Sequence, residues 1–167
     1  MRKYLLWLFV ALLHVRAAYC PETSPQEKER ITFMAKKHVF ERDVYNQSLS
    51  PELFVEALYY SGVICPEIAY KQAQIETGGF RSNLLWRGNN LFGMKMARKR
   101  PTTATNMVYG HAAYKHWYDS IKDYALWQQW HKERGYSLDD YFKFLQEIGY
   151  ATDRNYIKKL KSISDYS

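Results

Sequence analysis

The sequence predicts a mostly helical α+β domain carrying a small β-hairpin lobe. Three observations predict it. Apolar residues recur at helical spacing before and after the middle of the chain. Ser50-Pro51 and Pro66 mark helix starts, because proline fits a first helical turn where its missing N–H is not needed. Residues 77–118 break the helical stripe with glycines, the pair Asn89-Asn90, a basic cluster and short alternating aromatic stretches. At 167 residues, the chain has the size of one domain with one substantial core.

The first element is not part of the fold. Arg2 and Lys3 precede an apolar run from Leu5 to Leu13, and Val15 and Ala17 offer modest-sized residues before a cleavage point. That layout predicts a secretory signal peptide over residues 1–17, since the run is too short for an ordinary membrane span. Residues 18–29 read as a short polar tether, and 30–167 as the folded domain. The expected location is therefore periplasmic or extracellular. Cys20 keeps open a lipid anchor, against which Tyr19 counts because a small residue is wanted there.

Six helices follow in order. The first carries a stripe of Ile31, Met34, Ala35, His38 and Val39. The second runs from Pro51 to about Tyr60, and the third from Pro66 to Glu76, stopped by Gly78-Gly79. A hairpin is expected around 92–97 and 107–117. Asp119 then caps a long helix through Arg134. Ser137 and Asp140 start a helix bearing Leu138, Tyr141, Phe142 and Leu145, and Asp153 caps a last one with Tyr156, Ile157, Leu160 and Ile163 inward. Helices with one inserted hairpin lobe make the layout of a lysozyme-like fold.

Composition narrows the function without naming it. Aromatic residues reach 17%, which suits a carbohydrate groove and equally an aromatic core. Net charge falls from +7 to +4 once Arg2, Lys3 and Arg16 leave with the signal. A modestly basic exported chain suits an anionic polymer such as cell wall. One basic cluster without a recognition module argues against nucleic acid. The five histidines are scattered without metal-ligand spacing, so neither a metal nor another cofactor is expected. Cys20 and Cys65 could pair outside the cytoplasm, although two cysteines make no framework.

Glu76 carries the expected chemistry. It ends a helix whose Ala69, Gln72 and Ala73 share its face. The negative end of the helix dipole and nearby rings such as Phe80 and Trp86 disfavour its ionisation. A glycosidic general acid needs a carboxyl that stays protonated.

The run Gln72-Ala73-Gln74-Ile75-Glu76-Thr77-Gly78-Gly79-Phe80, then Ser82-Asn83-Leu84, then Asn89-Asn90-Leu91-Phe92-Gly93-Met94-Lys95 resembles the glucosaminidase family of peptidoglycan hydrolases, glycoside hydrolase family 73. So do Tyr118-Asp119-Ser120 and the tail Gly149-Tyr150-Ala151-Thr152-Asp153-Arg154-Asn155-Tyr156, where the family usually has proline at the position of Arg154. The resemblance runs in family order from about Ser50 to Lys161.

It implies a monomeric enzyme that cleaves the β-1,4 bond after N-acetylglucosamine in peptidoglycan strands, with Glu76 as general acid. It places Asn89, Asn90 and Phe92 on the groove floor, where Gly93 permits close backbone approach. Gln72, Phe80, Trp117 and Tyr118 join them as substrate-binding expectations, and Tyr150 and Tyr156 as groups positioning sugar or water. Core packing is the competing reading for Tyr150, Tyr156, Trp117 and Tyr118.

One departure matters. Many family members place a second Glu on the hairpin lobe, but residues 77–118 contain no Asp or Glu and seven Arg or Lys. Asp119 or Asp153 could serve as base, the substrate's acetamido group could act as nucleophile, or Tyr and Asn could hold water. A lytic transglycosylase and a non-catalytic wall-binding module remain rivals. Arg98-Lys99-Arg100 reads first as a solvated hairpin tip, and second as a contact for wall carboxylates.

Overall fold

The computed structural model describes residues 24–164. The signal peptide and Cys20 lie outside the described residues. The chain divides into two compact units, residues 1–39 and 40–167. Among the described residues are seven α-helices and one two-stranded antiparallel sheet, a mostly helical α+β, lysozyme-like arrangement.

Helix α1 spans Pro25–Asp43, so it begins inside the segment expected to be a tether. The expected stripe lies on this helix. Ile31, Met34 and Val39 are exposed, and Phe40 is the buried residue of the helix. A stripe read from spacing shows which residues share a face, not whether a neighbour covers it.

The other helices lie in residues 40–167. Helix α2 is Pro51–Tyr60, with Ser50 Oγ accepting from Leu53 N at 3.2 Å, the cap expected there. Helix α3, Pro66–Glu76, packs against α2 and the last helix, α7, Tyr156–Ser162. Helix α4, Asn83–Gly88, stands where an irregular loop was expected, and Ser82 Oγ caps it through Leu85 N at 3.1 Å. Six residues are too few to display a helical period, but Ser82 is a cap legible in the sequence.

Helix α5, Trp117–Glu133, packs against α2. Asp119 is not its cap. His116 takes that place, its Nδ1 accepting from Tyr118 N at 3.2 Å, and Asp119 instead accepts from Tyr45 Oη at 2.6 Å. Helix α6, Tyr141–Glu147, is capped by Asp140, while Ser137 closes the preceding turn on Asp139. Asn155 rather than Asp153 is the cap residue of α7; Asp153 accepts from Asn155 N and holds Lys159 at 2.6 Å. Tyr141, Leu145, Tyr156 and Leu160 form an apolar cluster joining α6 to α7, with Phe142 and Ile157 half-buried against it.

The hairpin is smaller than expected and displaced along the chain. Strands β1, Asn106–Val108, and β2, His111–Ala113, pair around Tyr109-Gly110. Both turn residues have positive φ, 52° and 74°, the geometry of a two-residue hairpin loop that matches strand twist. Residues 92–97 are not a strand. One backbone bond joins the segment to β2, from Ala112 N to Met94 O at 2.9 Å, and Asn90 takes the neighbouring groups: its Nδ2 donates to Met94 O and Ala112 O, and its Oδ1 accepts from Phe92 N and Met94 N. A side chain satisfying four backbone groups sets a fixed turn where a ladder would otherwise form.

Arg100 overturns the solvated-tip reading at its own position. Its guanidinium grips Asp123 on α5 with two bonds, 2.8 and 3.1 Å, and the two side chains are 7% and 0% exposed. Tyr114 Oη donates to the same carboxylate at 2.8 Å. One buried carboxylate therefore ties together the loop before β1, the exit from β2 and α5. Asp123→Ala leaves a buried guanidinium unpaired and is expected to lower unfolding free energy by about 3–5 kcal/mol, read by urea denaturation.

Candidate active site

Helix α3 ends by delivering Glu76 to a cleft. Thr77, fully buried, closes the helix by donating its hydroxyl to Ala73 O at 2.6 Å and accepting from Phe80 N at 2.8 Å. Gly78, Gly79 and Phe80 follow with φ of 58°, 72° and 63°, a left-handed run that turns the chain sharply away from the carboxylate.

Glu76 lines a cleft of about 550 Å³ together with Phe92, Gly93, the segment 94–100, Trp127, Trp130, His131 and residues 148–150. Glu76 is the only carboxyl among those lining residues. Burial pushes its pKa above the ordinary carboxyl value; the Tyr156 hydroxyl and the nearby charge of His111 oppose that rise without cancelling it.

The two carboxyl oxygens are not equivalent. Oε1 accepts from Tyr156 Oη at 3.0 Å. Oε2 faces Gly93, where a built Cβ would stand 2.9 Å from it. Gly93 has φ 63° and is held by the Asn90 turn, so the motif Asn89-Asn90-Leu91-Phe92-Gly93 brings bare backbone up to the carboxyl.

Behind Tyr156 runs a buried chain of donors. Gln128 donates to Tyr141, Tyr141 to Tyr124, Tyr124 to Gln72, and Gln72 through Nε2 to Tyr156 at 3.4 Å. Each hydroxyl has one proton, so the sequence of donors fixes the Tyr156 proton on Glu76. Burial also pushes the phenols of Tyr124, Tyr141 and Tyr156 upward, which keeps them as donors. A protonated Glu76 accepts this bond best through its carbonyl oxygen, which favours its own proton on Oε2.

Most expected site residues fall around this cleft, though several in supporting places. Phe92 lines it and stacks on Tyr124 at a centroid distance of 4.1 Å. Tyr150 lines it and donates to Phe92 O at 3.0 Å. Gln72 and Asn90 are buried behind it as hydrogen-bonding supports. Asn89 does not line it: it ends α4 with φ 50°, donates to Tyr114 O and Lys115 O, and borders a separate cleft beside Gln47 and Trp117.

Others are not brought to it. Phe80 packs edge-on against Phe54, away from the cleft lining. Trp117 and Tyr118 are 5% and 1% exposed; the Trp117 indole donates to Gln47 O, and Tyr118 packs on Phe40 and Tyr45. Both are held by packing outside the lining of the Glu76 cleft. Asp119 is engaged by Tyr45 and Lys122, and Asp153 by Lys159; neither lines the cleft.

Trp127, Trp130 and His131 were missed by the sequence reading and form an aromatic side of the cleft. Their signal was available as Tyr124, Trp127 and His131 at helical spacing on α5. No cluster of three or more His, Cys, Asp or Glu able to hold a metal occurs among the described residues. Cys65 is half-buried and has no disulfide partner among the described residues.

A buried carboxyl beside an aromatic-sided cleft in a lysozyme-like fold is the arrangement a glycosidic general acid requires. The chain belongs to the glucosaminidase family, glycoside hydrolase family 73: the family model described as mannosyl-glycoprotein endo-beta-N-acetylglucosaminidase matches residues 52–166. That membership makes it a glycosidase of the peptidoglycan type. No curated protein and no solved structure matches the chain.

Gly93→Ala tests the contact with the carboxyl. Left-handed backbone at a residue with Cβ costs about 1–2 kcal/mol. Displacing Glu76 by the new methyl is expected to lower turnover of peptidoglycan about 10²-fold, measured as release of reducing ends on a protein that urea titration shows still folded.

Proposed function

We propose that the protein hydrolyses the β-1,4 bond after N-acetylglucosamine in peptidoglycan, with Glu76 Oε2 delivering the proton to the leaving oxygen. One observation carries this reading: Glu76 is buried in the cleft lining, its Oε1 is occupied by the Tyr156 hydroxyl, and its Oε2 has only the cleft-lining Gly93 beside it. The aromatic side formed by Trp127 and Trp130 offers flat apolar surface for sugar C–H faces. Expected action outside the cytoplasm rests on the N-terminal sequence alone, residues 1–17.

The absence of a second carboxyl from the cleft lining supports a substrate-assisted route. Tyr150 and Tyr156 donate their hydroxyl protons to Phe92 O and to Glu76; as neutral phenols they can orient a water that donates to them but cannot act as its base. In this route the acetamido oxygen attacks the anomeric carbon while Glu76 protonates the departing oxygen and the glycosidic bond breaks. Glu76, now ionised, then takes a proton from the water that opens the cyclic intermediate. The account expects net retention at the anomeric carbon, observable by proton NMR of fresh product. Inversion would require a base in the site. A lytic transglycosylase would instead yield an anhydro-muramic end, distinguishable by mass spectrometry.

Glu76→Gln keeps the shape and the bond from Tyr156 but carries no acid proton. Turnover is expected to fall by about 10²–10⁴-fold. Stability should move the other way. A carboxyl with a raised folded pKa contributes most below the ordinary carboxyl range, and that contribution is lost as pH rises through the folded value. The Gln variant should therefore be more stable than the wild type at pH 7, with the difference closing in acid. Thermal unfolding at both pH values measures it; near wild-type turnover by the folded variant would remove Glu76 from the acid role.

A further inference from the structure

The segment after Met94 supplies the cleft with charge that the reaction as described does not use. Lys95, Arg98 and Lys99 line the cleft beside Glu76 and are exposed. Arg100, their neighbour, differs from them. Its bidentate bond to the buried Asp123 consumes its charge and fixes the backbone of the run against α5. Arg98 and Lys99 make no ion pair among the described residues, and Lys95 reaches only Gly110 O at 3.4 Å.

Nothing nearby neutralises them. The sequence from 77 to 118 has no acidic residue, and Glu76, the one carboxyl of the lining, has its ionisation disfavoured by burial. A neutral sugar would be served by the aromatic side alone. An anchored cationic side facing it suits a polymer that is both sugar and anion, because an exposed cation gains from a carboxylate held close to it.

On the hydrolase reading above, we propose that this cleft selects glycan strands bearing free carboxylates, as peptide-substituted muramic strands do, over neutral amino-sugar strands, and that Arg98 and Lys99 make the selection. The aromatic side receives sugar faces while Arg98 and Lys99 receive carboxylates carried outward from the same strand. Since both cations are exposed, the selection weakens with salt.

The test compares one polymer in two states: soluble peptide-bearing strands, and the same strands with carboxylates converted to amides by carbodiimide coupling with ammonia. The wild-type protein should show kcat/KM about three- to tenfold higher on the untreated strands, the range two exposed charge contacts provide. Raising salt should shrink that ratio. Arg98→Gln with Lys99→Gln should bring it close to one, while Arg98→Lys should preserve most of it. Exposed side chains can be changed without unfolding the domain, and an unchanged urea midpoint verifies this. Equal cleavage of both polymers by the wild type, or an undiminished ratio in the double variant, would overturn the selection while leaving the hydrolase reading intact. Cleavage of neither would overturn that reading and the selection with it.

Discussion

The hydroxyl of Tyr156 can donate only once, and its proton goes to Glu76 Oε1, 3.0 Å away. That allocation is not made at the cleft. It is set by a buried series in which Gln128, Tyr141, Tyr124 and Gln72 each donate toward the next. In a low-dielectric interior such bonds polarise one another, and reversing one would leave a buried donor facing a donor. Three helices, α3, α5 and α6, supply the members, so packing of the helical core specifies which oxygen of the carboxyl receives the Tyr156 proton. Burial disfavours the carboxylate, while the Tyr156 donor tempers that effect. The balance suits an acid that must hold a proton and yet release it.

The opposite side of the cleft depends on two other buried polar residues. Asn90 satisfies the backbone of the Phe92–Met94 turn and brings Gly93 against Oε2. Asp123 holds Arg100 and Tyr114, and so fixes the basic segment. Both are almost fully buried, and each joins segments distant in sequence. Chemistry at the surface of this protein is thus positioned by polar groups inside it, where an unsatisfied partner costs the most.

The fold was legible where local rules act. Ser50-Pro51, Pro66 and the glycines after Thr77 bound α2 and α3 as their caps and backbone preferences require. Glu76 was legible too, through helix position and the resemblance of the motif around it. What was not legible depends on tertiary partners. Asp119 has a capping residue's sequence position, but His116 reaches the helix start first and Tyr45 claims Asp119. Arg100 looks like one more surface cation until Asp123, 23 residues later, is folded against it. Residues 92–97 alternate like a strand, yet only Met94 O pairs with β2, through Ala112 N, while Asn90 holds Phe92 N and Met94 N in a turn. Trp117 and Trp127 are both aromatic and helical, and only packing sends the first into the core and the second to the cleft.

The central claim is that this architecture keeps Glu76 protonated beyond the range of an ordinary carboxyl. Carbon-detected NMR of the folded protein, labelled at glutamate side-chain carboxyls and assigned with Glu76→Gln, follows that group directly through a pH titration. The account predicts a midpoint for Glu76 clearly above the ordinary value of 4.5. A midpoint at or below that value in the folded protein would show that burial does not control the carboxyl, and would contradict the account.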